Sequence, residues 1–176
     1  MPPFTRAVAP YLYGGTLAEA LVAVKFGGRE HLATSLGRLL SDAAGVRPLL
    51  AGAACVVPVP LGARRRRHRG FNPSAVFARV LAHEHGVPLA HALARARETA
   101  TQSELGLADR RANVAGAFAP RRALRGAAVL VDDILTSGET ARAASEALLA
   151  GGATEVRVIA LARTALADPR RAPGAP

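Results

Sequence analysis

The stretch VLVDDILTSGETA, residues 129–141, constrains the fold of this chain more than any other. Val129, Leu130 and Val131 run straight into the adjacent acids Asp132 and Asp133, and these into a loop of small hydroxyl residues and glycine that opens a helical pattern. An apolar run without polar alternation fits a strand buried on both faces of a parallel sheet. In such sheets ligands bind outside the carboxyl ends of the strands, and both carboxylates emerge at that end. Adjacent carboxylates repel, so something positive or a set of donors should offset them, as sugar hydroxyls and a magnesium ion would. Thr136, Ser137, Gly138, Glu139 and Thr140 open the helix. Free backbone N–H groups and partial positive charge favour a phosphate there. Gly138 lets the backbone come close, and the three hydroxyls add donors without bulk. A purely structural account also exists, because Thr136 and Glu139 have the spacing of a capping box and Asp133 could be a turn residue. The loop is not a Walker loop, since no Gly-Lys-Ser/Thr follows, and no GxGxxG opens a helix.

The rest of the chain supplies the other layers of such a sheet. Leu17, Leu21 and Val24 recur at helical spacing between Gly15 and Gly27, which predicts a helix over 16–26. Leu32, Leu36, Leu39 and Leu40 mark a second over 30–44. Gly45, Pro48 and Gly52 form a connection into AACVVPVP, a buried strand stopping at Val57. After the basic segment GARRRRHRGFN comes a helix over 73–85, with Asn72 as N-cap and Gly86 as stop. Residues 89–118 are polar and weakly periodic, and predict a short strand, a mobile loop and another short strand. A third apolar run, TEVRVIALA, follows the helix after Gly138. Strands alternating with helices describe an α/β domain with a mainly parallel sheet. One domain over 1–165 is expected, with an N-terminal helical part at 11–45, a core at 53–162 and a disordered tail at 166–176.

Composition narrows the partners. The formal net charge is +10, and of 23 basic residues only Lys25 is lysine. Genome composition could account for the arginine bias, while the excess charge favours phosphates, nucleotides or nucleic acid. No apolar run approaches a membrane span, and the N-terminus lacks a secretory h-region, so a cytoplasmic protein is expected. The single Cys55 can form no intrachain disulfide and reads as a small buried hydrophobe. The histidines lack ligand spacing and read as structural.

VLVDDILTSGET resembles the signature of type I phosphoribosyltransferases, which bind 5-phosphoribosyl-1-pyrophosphate (PRPP). The resemblance implies that fold, a mainly parallel central sheet flanked by helices with a small N-terminal helical region. It also implies that Asp132 and Asp133 hold the ribose 2′ and 3′ hydroxyls while residues 136–140 wrap the 5′-phosphate. Further elements, KF-x-G at 25–28, PVPL at 58–61, RGFN at 69–72, R-x-R-x-T-x-x-Q at 95–102, a later arginine and N-V-x-G-x-F at 113–118, are similar to the ComF or GntX-like family of competence proteins. The match runs over 11–162.

By that resemblance Pro58, Val59, Pro60 and Leu61 form the pyrophosphate loop, with exposed backbone N–H groups facing the pyrophosphate and arginines assisting. Arg69, Gly70, Phe71 and Asn72 form the basic motif segment. The segment holding Arg95, Arg97, Thr99, Gln102, Arg110 and Asn113 resembles the flexible loop that closes over PRPP. Pro73 stands where the family usually has glutamine, which suits a first helical turn. Many members begin with a four-cysteine zinc ribbon, and no cysteine precedes Cys55, so no zinc is expected.

Two functions remain open at this level. One is phosphoribosyl transfer from PRPP to an unidentified acceptor with release of pyrophosphate, Mg²⁺ being held mainly by PRPP oxygens and water near Asp132 and Asp133. The other is an accessory role in uptake of single-stranded DNA, in partnership with DNA or the competence machinery, with the PRPP site regulatory or residual. Basic charge supports the second, although aromatic residues for base stacking make up only 4%.

Overall fold

The computed structural model describes residues 2–96 and 116–165. The elements in chain order are β1 Arg6–Val8, β2 Tyr11–Leu12, α1 Gly15–Phe26, α2 Glu30–Ser41, α3 Val46–Leu50, β3 Cys55–Pro58, α4 Ala63–Arg69, α5 Pro73–His85, β4 Leu93–Arg95, β5 Phe118–Pro120, β6 Ala127–Leu135, α6 Glu139–Ala150 and β7 Glu155–Arg163. The central sheet has the order β1-β7-β6-β3, with β2 also on β7, and each of these pairings is parallel. β4 and β5 form a separate antiparallel pair.

The apolar runs are continuous because both faces of the sheet are covered. Val57, Ala128, Leu130 and Val158 face one core, beneath α6 and the β4/β5 hairpin. Val56, Val129, Val131, Ile159 and Leu161 face the other, against α1, α2, α3 and α5. Successive strand residues point to opposite sides, so each run feeds two cores at once. Cys55 is buried within the first of them. α5 begins and ends where its caps require. Asn72 Oδ1 accepts from Ser74 N at 3.2 Å, Pro73 occupies the first turn, and Gly86 closes the helix at φ 65°. In α2 and α5, Ser41 Oγ lies 2.9 Å from His85 Nε2, a structural use of that histidine.

Several expectations need correction. The second helix ends at Ser41 rather than at 44, and the connection after it contains the short helix α3. Pro48 lies in the first turn of α3, where no intrahelical N–H is needed. The basic segment, to which the sequence assigned no element, forms the helix α4 over 63–69, which buries none of its residues and so shows no apolar periodicity. The N-terminus contributes two short edge strands, β1 and β2, with Ala9 and Pro10 between them. β3 runs one residue past Val57, and β6 does not stop before the acids but continues through them to Leu135.

This last difference positions the site. β3 pairs with β6 only as far as Pro58 against Val131, whereas β7 pairs with it as far as Leu135 against Arg163. Asp132 and Asp133 therefore lie beyond the end of β3 but are still fixed by β7. The step between the two neighbouring strands makes a notch at the carboxyl end of the sheet. Phe77, fully buried between α5 and this sheet, is the largest side chain holding α5 there. Phe77→Ala should cost about 3–5 kcal/mol in chemical denaturation, and a loss below about 1 kcal/mol would contradict that packing.

Candidate functional site

Asp132 sits on the last buried turn of the β6 pleat, with only 9% of its surface exposed. Its Oδ1 accepts from Ser74 Oγ at 3.1 Å and from the Asp133 amide at 2.8 Å. Burial, and then the charge of Asp133, push its pKa from the ordinary 3.8 up to about 7. The Asp133 amide, Lys25 and Ser74 oppose that shift without reversing it. Asp133 accepts from the Ile134 amide on Oδ1 at 2.7 Å, and its Oδ2 lies 2.6 Å from Lys25 Nζ. The acid pair thus draws on three elements: Lys25 from the last turn of α1, Ser74 from the first turn of α5, and β6 itself. Asp133 is the paired, half-buried member and Asp132 the buried one.

The loop after β6 turns on Gly138, which is left-handed at φ 78° and forms the N-cap of α6 without a side-chain cap. A Cβ would be strained at that φ. Thr136 is therefore not the N-cap, and Glu139 binds Arg142, its Oε2 accepting from Nε at 2.8 Å, so the capping-box account fails. Ser137 Oγ is buried and has no hydrogen-bond partner among the described residues. An unsatisfied buried hydroxyl is costly, and here it sits in the loop whose sequence suggests a phosphate.

A cleft collects ten of the sixteen expected residues that the structure describes, with Thr136 and Thr140 but not Ser137, Gly138 or Glu139 of the loop on its walls. Its walls include Val59, Pro60, Leu61, Arg69, Asn72, Arg95, Asp132, Asp133, Thr136 and Thr140, together with Lys25, Arg65 and Ser74. Pro58, Gly70 and Phe71 line a neighbouring cleft instead, on the other side of the 58–61 segment, with Arg66, Arg79, His91 and Arg121. The helical winding of α4 explains the sorting of its arginines. Arg65 and Arg69 are one turn apart and share the face toward the acids, while Arg64, Arg67 and His68 are exposed. Burial holds the Arg69 pKa below its ordinary value, against the pull of Asp133.

The 58–61 segment is rigid but poor in free amides. Prolines at 58 and 60 carry no N–H, and Val59 N donates to Val131 O at 2.9 Å. Leu61 is then the only one of the four whose N–H is not excluded or committed to the sheet, which corrects the expectation of several amides facing a pyrophosphate. The segment's carbonyls are held from behind, Val59 O by Asn72 Nδ2 at 2.9 Å and Pro60 O by Arg95 Nη1 at 3.4 Å. Cations, more than amides, face this part of the cleft. Arg97, Thr99, Gln102, Arg110 and Asn113, and the tail at 166–176, lie outside the described residues. Ser74 carried no sequence signal beyond its place after the N-cap, whereas Lys25 could have been singled out as the sole lysine.

The model of the phosphoribosyl transferase domain matches residues 72–172. The DNA utilization protein YhgH of Salmonella typhi is 34% identical over 168 residues, which covers 93% of this chain and 74% of the relative. Competence protein F of Haemophilus influenzae is 33% identical over 117 residues, covering 61% of this chain and 49% of that protein. Among solved structures, glutamine PRPP amidotransferase from B. subtilis superimposes with a TM-score of 0.47 at 24% identity, over 73% of this chain and 26% of that one. Among the described residues no helix is long and apolar enough to cross a membrane.

The state of Asp132 has a measurable consequence. A carboxyl group held above its ordinary value favours the folded state while protonated. That contribution is complete below 3.8 and lost as pH rises through about 7. The ligand-free protein should lose stability across this window. Asp132→Asn, which cannot ionise, should flatten the slope and be the more stable form above it. Thermal unfolding of both proteins on either side of the window reads this, and identical slopes would contradict it.

Proposed function

This chain belongs to the phosphoribosyl transferase domain family, with the type I phosphoribosyltransferase fold and ComF-like relatives, and on that premise we propose that it binds PRPP and transfers its phosphoribosyl group to an acceptor. The supporting observation is that the acid pair, together with Thr136 and Thr140 from the two ends of the 136–140 loop, lines one cleft with Arg65, Arg69 and Arg95. Ribose hydroxyls donate to Asp132 and Asp133. The 5′-phosphate sits on the amides at the start of α6, where the unpartnered Ser137 hydroxyl gains an acceptor. The pyrophosphate lies toward the three arginines, whose charge offsets it.

Chemistry in such a site rests on position and charge. As pyrophosphate leaves C1, positive charge develops on the sugar, and the carboxylates below it stabilise that charge without forming a covalent bond. Asp132 must be ionised to contribute fully. Among the described residues no third His, Cys, Asp or Glu joins the two aspartates in a metal-sized group, so magnesium would take its ligands mainly from PRPP oxygens and water beside the pair. When bound it would screen the charge of the departing pyrophosphate.

A second reading is a DNA-handling role, in keeping with the names of the relatives. The exposed arginines of α4 that point away from the cleft favour it. The two readings use different faces of one helix, and both can hold.

PRPP with Mg²⁺ should raise thermal stability, by roughly 2.7 kcal/mol at about a hundredfold excess over Kd. Replacing Asp132 and Asp133 together by alanine should remove that shift and leave the circular dichroism of the apo protein unchanged. A double variant that keeps the shift would show that the ligand binds elsewhere. Pyrophosphate release against candidate acceptors then distinguishes transfer from binding. For nucleic acid, each phosphate contact should steepen log affinity against log salt by about 0.9 on a duplex and about 0.7 on a single strand. A flat dependence, unaltered by Arg64→Ala with Arg67→Ala, would remove α4 as a nucleic-acid surface.

A further inference from the structure

The KF-x-G element at the end of α1 has no part in the ligand contacts above, yet its lysine makes the closest ion pair at the acid site. Lys25 Nζ is 2.6 Å from Asp133 Oδ2, and both side chains are only 18% exposed. It is the one lysine among 23 basic residues. Phe26, next in the chain and largely exposed, has Arg69 lying 5.5 Å over its ring, and Gly28 at φ 63° turns the chain away after them. The end of α1 therefore holds one cation on Asp133 and steadies a second beside it.

Either an ammonium or a guanidinium supplies positive charge at Asp133, and the ammonium is the more compact of the two. An ammonium is a compact point charge with three donors, closer in form to a small metal ion than the planar guanidinium is. One donor goes to Asp133, and Lys25 also lines the cleft. Each Asp133 oxygen has one partner and retains a second lone pair, so sugar hydroxyls can still donate to that carboxylate after lysine has neutralised it. A divalent ion bound directly to Asp133 would meet the ammonium at close range, where like charges repel strongly in a half-buried site. A partly desolvated pair adds little to stability, which leaves its effect on the carboxylate as the reason for it.

We propose that Lys25 is the resident cation and positioning residue of the acid pair: it takes the place a divalent ion would occupy at Asp133, so that the ribose end of the ligand is held without metal. Any Mg²⁺ requirement then belongs to the pyrophosphate end. The inference rests on the PRPP reading, and its test separates the two.

Ribose 5-phosphate carries the sugar hydroxyls and the 5′-phosphate but no pyrophosphate. Calorimetric titration of the full chain with ribose 5-phosphate and with PRPP, each in Mg²⁺ and in EDTA, compares wild type with Lys25→Gln and Lys25→Arg. Wild type should bind ribose 5-phosphate with Kd values within about twofold in the two media, while PRPP gains affinity from Mg²⁺. Lys25→Gln should bind ribose 5-phosphate at least about tenfold more weakly in EDTA and recover part of the loss in Mg²⁺, and Lys25→Arg should keep metal-free binding. A wild type that needs Mg²⁺ for ribose 5-phosphate overturns the inference, as does a Lys25→Gln protein that binds equally well or more tightly in EDTA. The wild-type and Lys25→Arg arms decide the matter even where Lys25→Gln does not fold. Should wild type bind neither compound in either medium, the PRPP reading falls and takes this inference with it.

Discussion

Two carboxylates on neighbouring residues of one buried strand are the constraint around which the rest of this molecule is arranged. Like charges at that separation, one of them out of water, are unfavourable by several kcal/mol unless partners are supplied. Ser74 and the Asp133 amide supply them for Asp132, and Lys25 and the Ile134 amide for Asp133. Each side-chain partner arrives on a helix packed against the same face of the sheet, so the core formed by α1, α2, α3 and α5 is also what assembles the site. The opposing layer, α6, contributes the loop at 136–140 and its left-handed Gly138. The ligand end of the sheet is thus where the two layers meet, and the notch left by the early end of β3 is the space between them.

Much of this was legible in the sequence, for reasons that can be named. The buried strands announced themselves because both of their faces are covered, leaving no polar alternation to confuse them with a surface strand. α5 was read to its boundaries because Asn72, Pro73 and Gly86 are cap residues with mechanical reasons to be there. β1 and β2 escaped because three and two residues on a sheet edge carry no periodicity. α4 escaped because a helix that buries nothing has no apolar stripe, although its seven residues include good helix formers.

The candidate site was legible where chemistry is local and opaque where it is not. The acids and the hydroxyl loop are each contiguous, and their residue types suggest a ligand, whereas the 58–61 segment is singled out only by the family resemblance. Ser74 joins Asp132 from 58 positions away, and only the packing of α5 brings it there. The backbone arithmetic at 58–61 was hidden as well. That Val59 gives its N–H to Val131 follows from sheet register, and it leaves Arg65, Arg69 and Arg95, more than amides, as the groups proposed to meet a pyrophosphate. The arginines of α4 also divide, Arg65 and Arg69 lining the cleft with the acids while Arg64 and Arg67 are exposed.

The most direct test of the account is a crystal structure of the protein soaked with PRPP and Mg²⁺. The ligand is expected with its 2′ and 3′ hydroxyls on Asp132 and Asp133, its 5′-phosphate on the amides and hydroxyls of residues 136–140, Ser137 Oγ now paired, and its pyrophosphate toward Arg65 and Arg69. Density for the sugar phosphate in another cleft, or an acid pair left untouched by the bound ligand, would contradict it.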